Sequence, residues 1–207
     1  AKETYLGADA VIAVSPALAR SIERYFRISP VIIPNIVNVD VFKQRSNKDG
    51  DGRFRMVSTG NLIRSKRMDL LIECFARAFR SNPSASLVIF GDGPERKKLE
   101  KQIREIGMSD GIKLMGICDR KKIADTLAKS DCFALVSESE TFGVAYIEAL
   151  ASGVPVIATR CGGPESFVDT DNGIFVDVDN REQLVQAMRF MYENVAKYDP
   201  EMISWKV

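Results

Sequence analysis

Short apolar runs alternate along this chain with amphipathic stretches. The runs cover Ala10–Val14, Val31–Ile33, Phe54–Thr59, Leu87–Phe90, Ile112–Met115, Cys132–Val136, Val154–Ala158 and Ile174–Val176. They are rich in β-branched residues and lack strict alternation. Strands buried on both faces of a parallel sheet read this way. Between them the apolar positions repeat with helical spacing over Pro16–Tyr25, Met68–Arg80, Pro94–Ile106, Lys121–Lys129, Phe142–Ser152 and Glu182–Val195. Asp69 suits the start of the second helix, and Pro94 fits a first-turn position. Gly107 and Gly153 each follow a helix where a C′ glycine is favoured.

Strand–helix alternation at this spacing predicts βαβ units with right-handed crossovers. The expected class is α/β, with a doubly wound, mostly parallel, Rossmann-like sheet over residues 54–207. Residues 1–34 read as the end of a preceding domain or a docked β-α-β extension, and 35–53 as a linker. Within that linker Lys43–Arg53, KQRSNKDGDGR, is polar and glycine-bearing. Ligands of doubly wound sheets bind beyond the carboxyl ends of the strands. The loops to inspect are therefore Gly60–Arg67, Gly91–Pro94, Gly116–Arg120, Ser137–Phe142 and Thr159–Glu165.

Composition narrows the chemistry. With 45% hydrophobic and 28% charged residues in 207, wholesale disorder is not expected. Lys plus Arg is 29 and Asp plus Glu is 28, a balance unlike that of a general nucleic-acid binder. There is no histidine, which excludes a Ser-His-Asp triad and any His-ligated metal within these residues. Cys74, Cys118, Cys132 and Cys161 form no C-x-x-C pair and read as reduced thiols of a cytoplasmic protein. No apolar run is long enough to span a membrane, and no signal-peptide pattern is present. The first residue is alanine, so a piece of a longer polypeptide is expected.

The richest segment is Ser137–Thr159, SESETFGVAYIEALASGVPVIAT. A strand ends, a polar loop follows, and a helix opens near Phe142, Gly143 and Val144. Free N–H groups and the helix dipole at that point suit a diphosphate. Glu148 lies on the most apolar helix, where a carboxylate is costly to bury without partners; there it could accept from a ribose diol. Glu140, eight positions earlier, precedes the helix. The alternative is a capping Glu140 and a solvated Glu148. Gly60–Arg67, GNLIRSKR, places Arg64, Lys66 and Arg67 at a strand's carboxyl end, as phosphate ligands or as a solvated basic loop. Gly91–Pro94 reads as a tight turn, because Arg96 stands where a dinucleotide fingerprint needs glycine. In Cys161-Gly162-Gly163-Pro164-Glu165 the last residue could cap a helix or touch a sugar hydroxyl. Arg96, Lys97, Lys98, Lys101 and Arg104, interleaved with glutamates, read as a solvated face.

The ordered set resembles the retaining glycosyltransferases of family 4. Glu140 to Glu148, followed by Ala149 through Thr159, is similar to their E-x7-E signature. Ala8–Ser15, Ile33-Pro34-Asn35, Gly60 to Lys66, Gly91–Pro94, Gly116, Gly162–Glu165, Asn172-Gly173 and Ser204-Trp205 agree in order. The resemblance implies the C-terminal, donor-binding half of a GT-B enzyme, transferring a sugar from a nucleoside-diphosphate sugar to a glycan or lipid-linked sugar. It implies that Glu148 binds the ribose hydroxyls, Glu140 faces the donor sugar, and Phe142, Gly143 and Val144 hold diphosphate or sugar by main chain. It further implies that Lys66 neutralises the diphosphate and that Gly116-Ile117 meets the base. Where the family often has arginine after Gly60, this chain has Asn61, and Arg64 is the expected substitute. No metal or other cofactor is expected, and no nucleic-acid partner. The acceptor site, and peripheral contact with the inner face of a membrane, are assigned to an N-terminal domain outside these residues, so this piece alone is expected to bind donor without turnover. A non-catalytic nucleotide-sugar-binding module and a GT-B sugar-nucleotide epimerase are the competing readings.

Overall fold

The structure is a computed structural model and describes residues 2–43 and 51–206. Residues 44–50 of the expected linker lie outside the described residues. The strands are β1 (Ile12–Ala13), β2 (Val31–Ile32), β3 (Phe54–Thr59), β4 (Ala85–Phe90), β5 (Ile112–Gly116), β6 (Cys132–Leu135), β7 (Val156–Thr159) and β8 (Gly173–Val176). The helices are α1 (Lys2–Leu6), α2 (Pro16–Phe26), α3 (Met68–Phe79), α4 (Arg96–Glu105), α5 (Arg120–Leu127), α6 (Val144–Ala151), α7 (Arg181–Asn194) and α8 (Pro200–Trp205). Every apolar run of the sequence became a strand.

β3 to β8 form one parallel sheet in the order β5-β4-β3-β6-β7-β8. α3 packs on α4 and α7, and α6 packs on α5 and α8, so helices cover the sheet on two sides. β6 and β7 are buried at every position. That is why their sequences show no alternation: each face meets a helix layer. Consecutive connections run outward from β3 in one direction and from β6 in the other. The order reverses between these two strands, which places the ligand crevice of such sheets at their carboxyl ends.

Helix boundaries moved where loop bonds compete with helix bonds. Pro94 lies outside α4, because the Glu95 N–H is taken by the Leu62 carbonyl at 3.0 Å. The Gly91–Pro94 turn is therefore structural, as expected, and its Asp92 carbonyl also receives the Leu62 N–H at 2.9 Å. α6 begins at Val144, since Phe142 turns inward against Phe167, ring centroids 5.0 Å apart.

β1 and β2 pair in parallel as a separate two-stranded sheet. Ala13, Ala19 and Ile22 form its small core, which Tyr5 and Phe26 extend by stacking at 4.5 Å. Ser15 ties this unit to the main sheet. Its hydroxyl accepts from the Leu18 N–H, capping α2, and donates to the Thr141 carbonyl at 2.5 Å. The four cysteines are free thiols. No described helix is long and apolar enough to cross a membrane.

Candidate functional site

Five loops at the carboxyl ends of the sheet are joined by main-chain hydrogen bonds into one rim. The Gly91 N–H donates to the Gly116 carbonyl at 2.9 Å, and the Glu138 N–H donates to the Ser65 carbonyl at 2.8 Å. The Glu140 N–H donates to Cys161, and the Gly163 N–H returns to the Glu140 carbonyl at 2.9 Å. With the Leu62 bonds to the Asp92 loop, the rim runs from β5 through β4, β3 and β6 to β7. Backbone pairing therefore fixes the loops that carry the predicted residues, in the order that the strands dictate.

At the reversal point Lys66 meets Glu140. The Lys66 Nζ lies 2.5 Å from Glu140 Oε1, and the Ser137 hydroxyl donates to the same oxygen at 2.7 Å. The Glu140 side chain is only 10% exposed. Its backbone bridges Gly162, so both main chain and carboxylate are held. Glu140 does not cap a helix. It is a desolvated carboxylate beside a cation, on the seam of two strands that are 74 residues apart at this contact. Ser137 is buried, and in the sequence nothing but its place in the loop marks it.

The head of α6 adjoins this pair. Gly143 precedes the helix with φ +95, a backbone that side chains rarely adopt, and a Cβ there would come within 2.6 Å of the Tyr146 ring. Tyr146 is buried and donates to the Leu135 carbonyl at 2.5 Å, which pins the first turn of α6 to the end of β6. Glu148, on the next turn, has a side chain 12% exposed and accepts from Arg120 Nη2 at 2.6 Å. It is not a solvated face residue. Burial pushes its carboxyl above the usual range, and the Arg120 cation pulls it partly back.

The other predicted residues are spread along the same rim. Gly60 follows β3 and donates its N–H to Phe90; Asn61 and Arg64 are exposed. The Arg64 side chain makes no hydrogen bond or ion pair with the described residues, so no such contact holds it beside Glu140 as the ion pair holds Lys66. Gly116 ends β5, and Ile117 beyond it is 85% exposed. Arg67 does not join the Lys66–Glu140 pair. It pairs with Asp69, Glu138 and Asp179, and so joins three loops. Glu165 folds back to accept from the Gly162 N–H at 2.9 Å rather than capping the next long helix. In the basic stripe of α4, expected as a solvated face, Lys97, Lys98, Lys101 and Arg104 are exposed, while Arg96 is half-buried and pairs with Asp92 and Glu100; Lys98 pairs with Glu95 and Lys101 with Glu105. Among the described residues, two D-x-D triplets are engaged elsewhere. Asp169 and Asp171 share Lys206, while Asp177 accepts from Gln183 and Asp179 pairs with Arg67. Among the described residues, no three His, Cys, Asp or Glu side chains are grouped to hold a metal ion.

The family model for glycosyl transferases group 1 matches residues 40–203. The chain belongs to the group 1 glycosyl transferases. This glycosyltransferase chain is 29% identical over 190 residues to an uncharacterised glycosyltransferase of Methanocaldococcus jannaschii, covering 86% of the chain and 46% of the relative. It is 29% identical over 196 residues to an N-acetylgalactosamine-N,N'-diacetylbacillosaminyl-diphospho-undecaprenol 4-alpha-N-acetylgalactosaminyltransferase of Campylobacter jejuni, covering 92% and 52%. It superposes on S. aureus TarM, solved with fondaparinux, alpha-GlcNAc-glycerol and UDP, with a TM-score of 0.83 at 21% identity, covering 99% of this chain and 44% of that one. That likeness shows the fold, that of GT-B glycosyltransferases. The chain spans about half the length of these relatives.

Proposed function

We propose that these residues are the donor-binding part of a retaining glycosyltransferase. It transfers a sugar from a nucleoside-diphosphate sugar to a glycan or lipid-linked sugar. The observation that carries the reading is the Lys66–Glu140 pair at the strand-order reversal, beside the free N–H groups at the head of α6. A diphosphate laid across that head meets main-chain donors from Phe142, Gly143 and Val144 and the Lys66 ammonium. The bond between the anomeric carbon and the diphosphate oxygen breaks, and the new bond forms to the acceptor oxygen, whose proton leaves. Charge develops on the departing diphosphate, and Lys66 with the helix dipole stabilises it there. Glu140 lies beside the leaving group and faces the sugar. Glu148 accepts from the ribose hydroxyls, and the main chain at Gly116-Ile117 contacts the base. Arg64, exposed on the same loop, adds cationic field. In this reading residues 1–34 close an acceptor-side domain, which also carries any membrane contact; the exposed Ile12, Val31 and Ile32 of the small sheet are its continuation surface.

The test is release of nucleoside diphosphate by the full-length protein from UDP-, GDP- and ADP-sugars, with glycan and polyprenyl-linked acceptors. Release with transfer from one donor, lost in Glu140→Ala, is expected. No release beyond that of the Glu140→Ala variant from any donor would sink the proposal.

Acid sensitivity follows from Glu148. The ionised carboxylate accepts from a diol with both oxygens and more strongly than the acid does, and burial raises its pKa. Nucleotide affinity should therefore fall on acidification through that raised value, earlier than for an ordinary carboxylate. Fold stability should respond in the opposite sense. The folded state binds the proton more readily than the unfolded one, so this group's contribution is in place below the unfolded pKa and is lost as pH rises through the folded pKa. Calorimetric titration with UDP over a pH series checks the first, and Glu148→Gln should flatten that profile. A wild-type profile as flat as that of Glu148→Gln would refute it.

A further inference from the structure

Arg120 has a built environment that the proposed donor chemistry does not use. It opens α5, four residues beyond the carboxyl end of β5. Its guanidinium carbon stands 5.2 Å from the centroid of the Phe42 ring, and its Nη2 donates to Glu148 Oε1 at 2.6 Å. Phe42 is fully buried in the main core, although it belongs to the segment that precedes β3. The ring is thus a fixed platform, and the guanidinium on it is 61% exposed. A planar cation stacked on one side and hydrogen-bonded at its end has few rotamers left. It therefore fixes the carboxylate that it holds.

We propose that Arg120 is a positioning residue for donor binding: stacked on Phe42, it holds the Glu148 carboxylate in the orientation that receives the ribose hydroxyls of a nucleoside diphosphate. This deepens the donor-binding reading and rests on it. Glu148 has two oxygens with lone pairs to spare, so one can keep the Arg120 bond while both accept from a diol. α6 carries no other charged residue, and β6 and β7 carry none. Lys121, Lys122 and Asp125 of α5 and Glu201 of α8 are exposed, and Arg120 is the charge that acts on Glu148. Removing it leaves burial unopposed, which favours the protonated acid at a higher pH.

The experiment is calorimetric titration with UDP, GDP and ADP over an acidic-to-neutral pH series. It compares the unaltered protein with Arg120→Ala, Arg120→Lys and Phe42→Leu. For Arg120→Ala the acid midpoint of binding should move to higher pH, and affinity at neutral pH should fall about fivefold. Arg120→Lys should keep the midpoint near that of the unaltered protein while losing part of the affinity, because the charge stays and the fork is lost. Phe42→Leu should shift in the direction of Arg120→Ala by a smaller amount. Equal weakening at every pH, with an unmoved midpoint, would show a direct ligand or a merely structural role and overturn the proposal. Tighter binding by Arg120→Ala would also overturn it, since Arg120 would then be a competitor for Glu148. If the unaltered protein binds none of the three nucleotides, the donor reading itself falls, and this role falls with it.

Discussion

Lys66→Ala should lower turnover about 10²–10³-fold, the range seen when one preorganised partner of a developing negative charge is removed. Two effects add here. The variant takes away the cation nearest to the proposed diphosphate. It also leaves Glu140, 10% exposed and otherwise bonded by Ser137, without its counter-charge. A carboxylate left so placed must be re-solvated or find another partner, which disturbs the group proposed to face the sugar. Loss of the ion pair should cost on the order of 1–3 kcal/mol in urea unfolding. Steady-state kinetics on the full-length enzyme separate the two effects. A fall mainly in kcat is expected, because the leaving-group charge is largest in the transition state. Lys66→Arg should recover part of the rate, since the charge returns with a different shape. Unchanged kcat in Lys66→Ala would remove Lys66 from the mechanism.

Gly163→Ala is the second large effect, and its origin is packing. Gly163 has φ −65 and ψ −50, a conformation that alanine adopts freely. A Cβ on it would lie 2.5 Å from Phe142 N, Cα and O, all main-chain atoms. Backbone cannot step aside as a side-chain tip can, so the Glu140–Val144 loop must move. The hydrogen bond from the Gly163 N–H to the Glu140 carbonyl moves with it. Stability should drop by about 1–3 kcal/mol, the usual cost of forced overpacking. Nucleotide affinity should fall about 10–100-fold, because main-chain donors must sit within a fraction of an ångström to hold a diphosphate. Unfolding and titration curves together check this. Wild-type affinity in Gly163→Ala would mean that the head of α6 does not hold the ligand.

The fold was legible because its strands are buried on both faces. Runs such as CFALV and VPVIA have no solvent side, so they could be neither amphipathic helices nor edge strands. Glu148 was legible for a related reason: a lone carboxylate in an apolar helix needs a partner. That partner was not legible. Arg120 lies 28 residues away in a basic run where Lys121 and Lys122 are equally cationic, and only the fold shows which of the three stacks on Phe42. The bond from the Ser15 hydroxyl to the Thr141 carbonyl was not legible, because it spans 126 residues and leaves no local trace. α4 and α6 start two residues later than the periodicity predicts, at Arg96 and Val144, because the competing bonds to Leu62 and the contact with Phe167 come from other loops.

This rim is proposed to bind a nucleoside diphosphate through Glu148 at one end and Lys66 at the other. Calorimetric titration with UDP, GDP and ADP, in EDTA, tests it most directly. Saturable binding of one of the three is expected, weakened about 10²-fold by Glu148→Ala through loss of charge-assisted bonds to the ribose. Binding that Glu148→Ala leaves untouched, or no binding of any nucleotide, would contradict it.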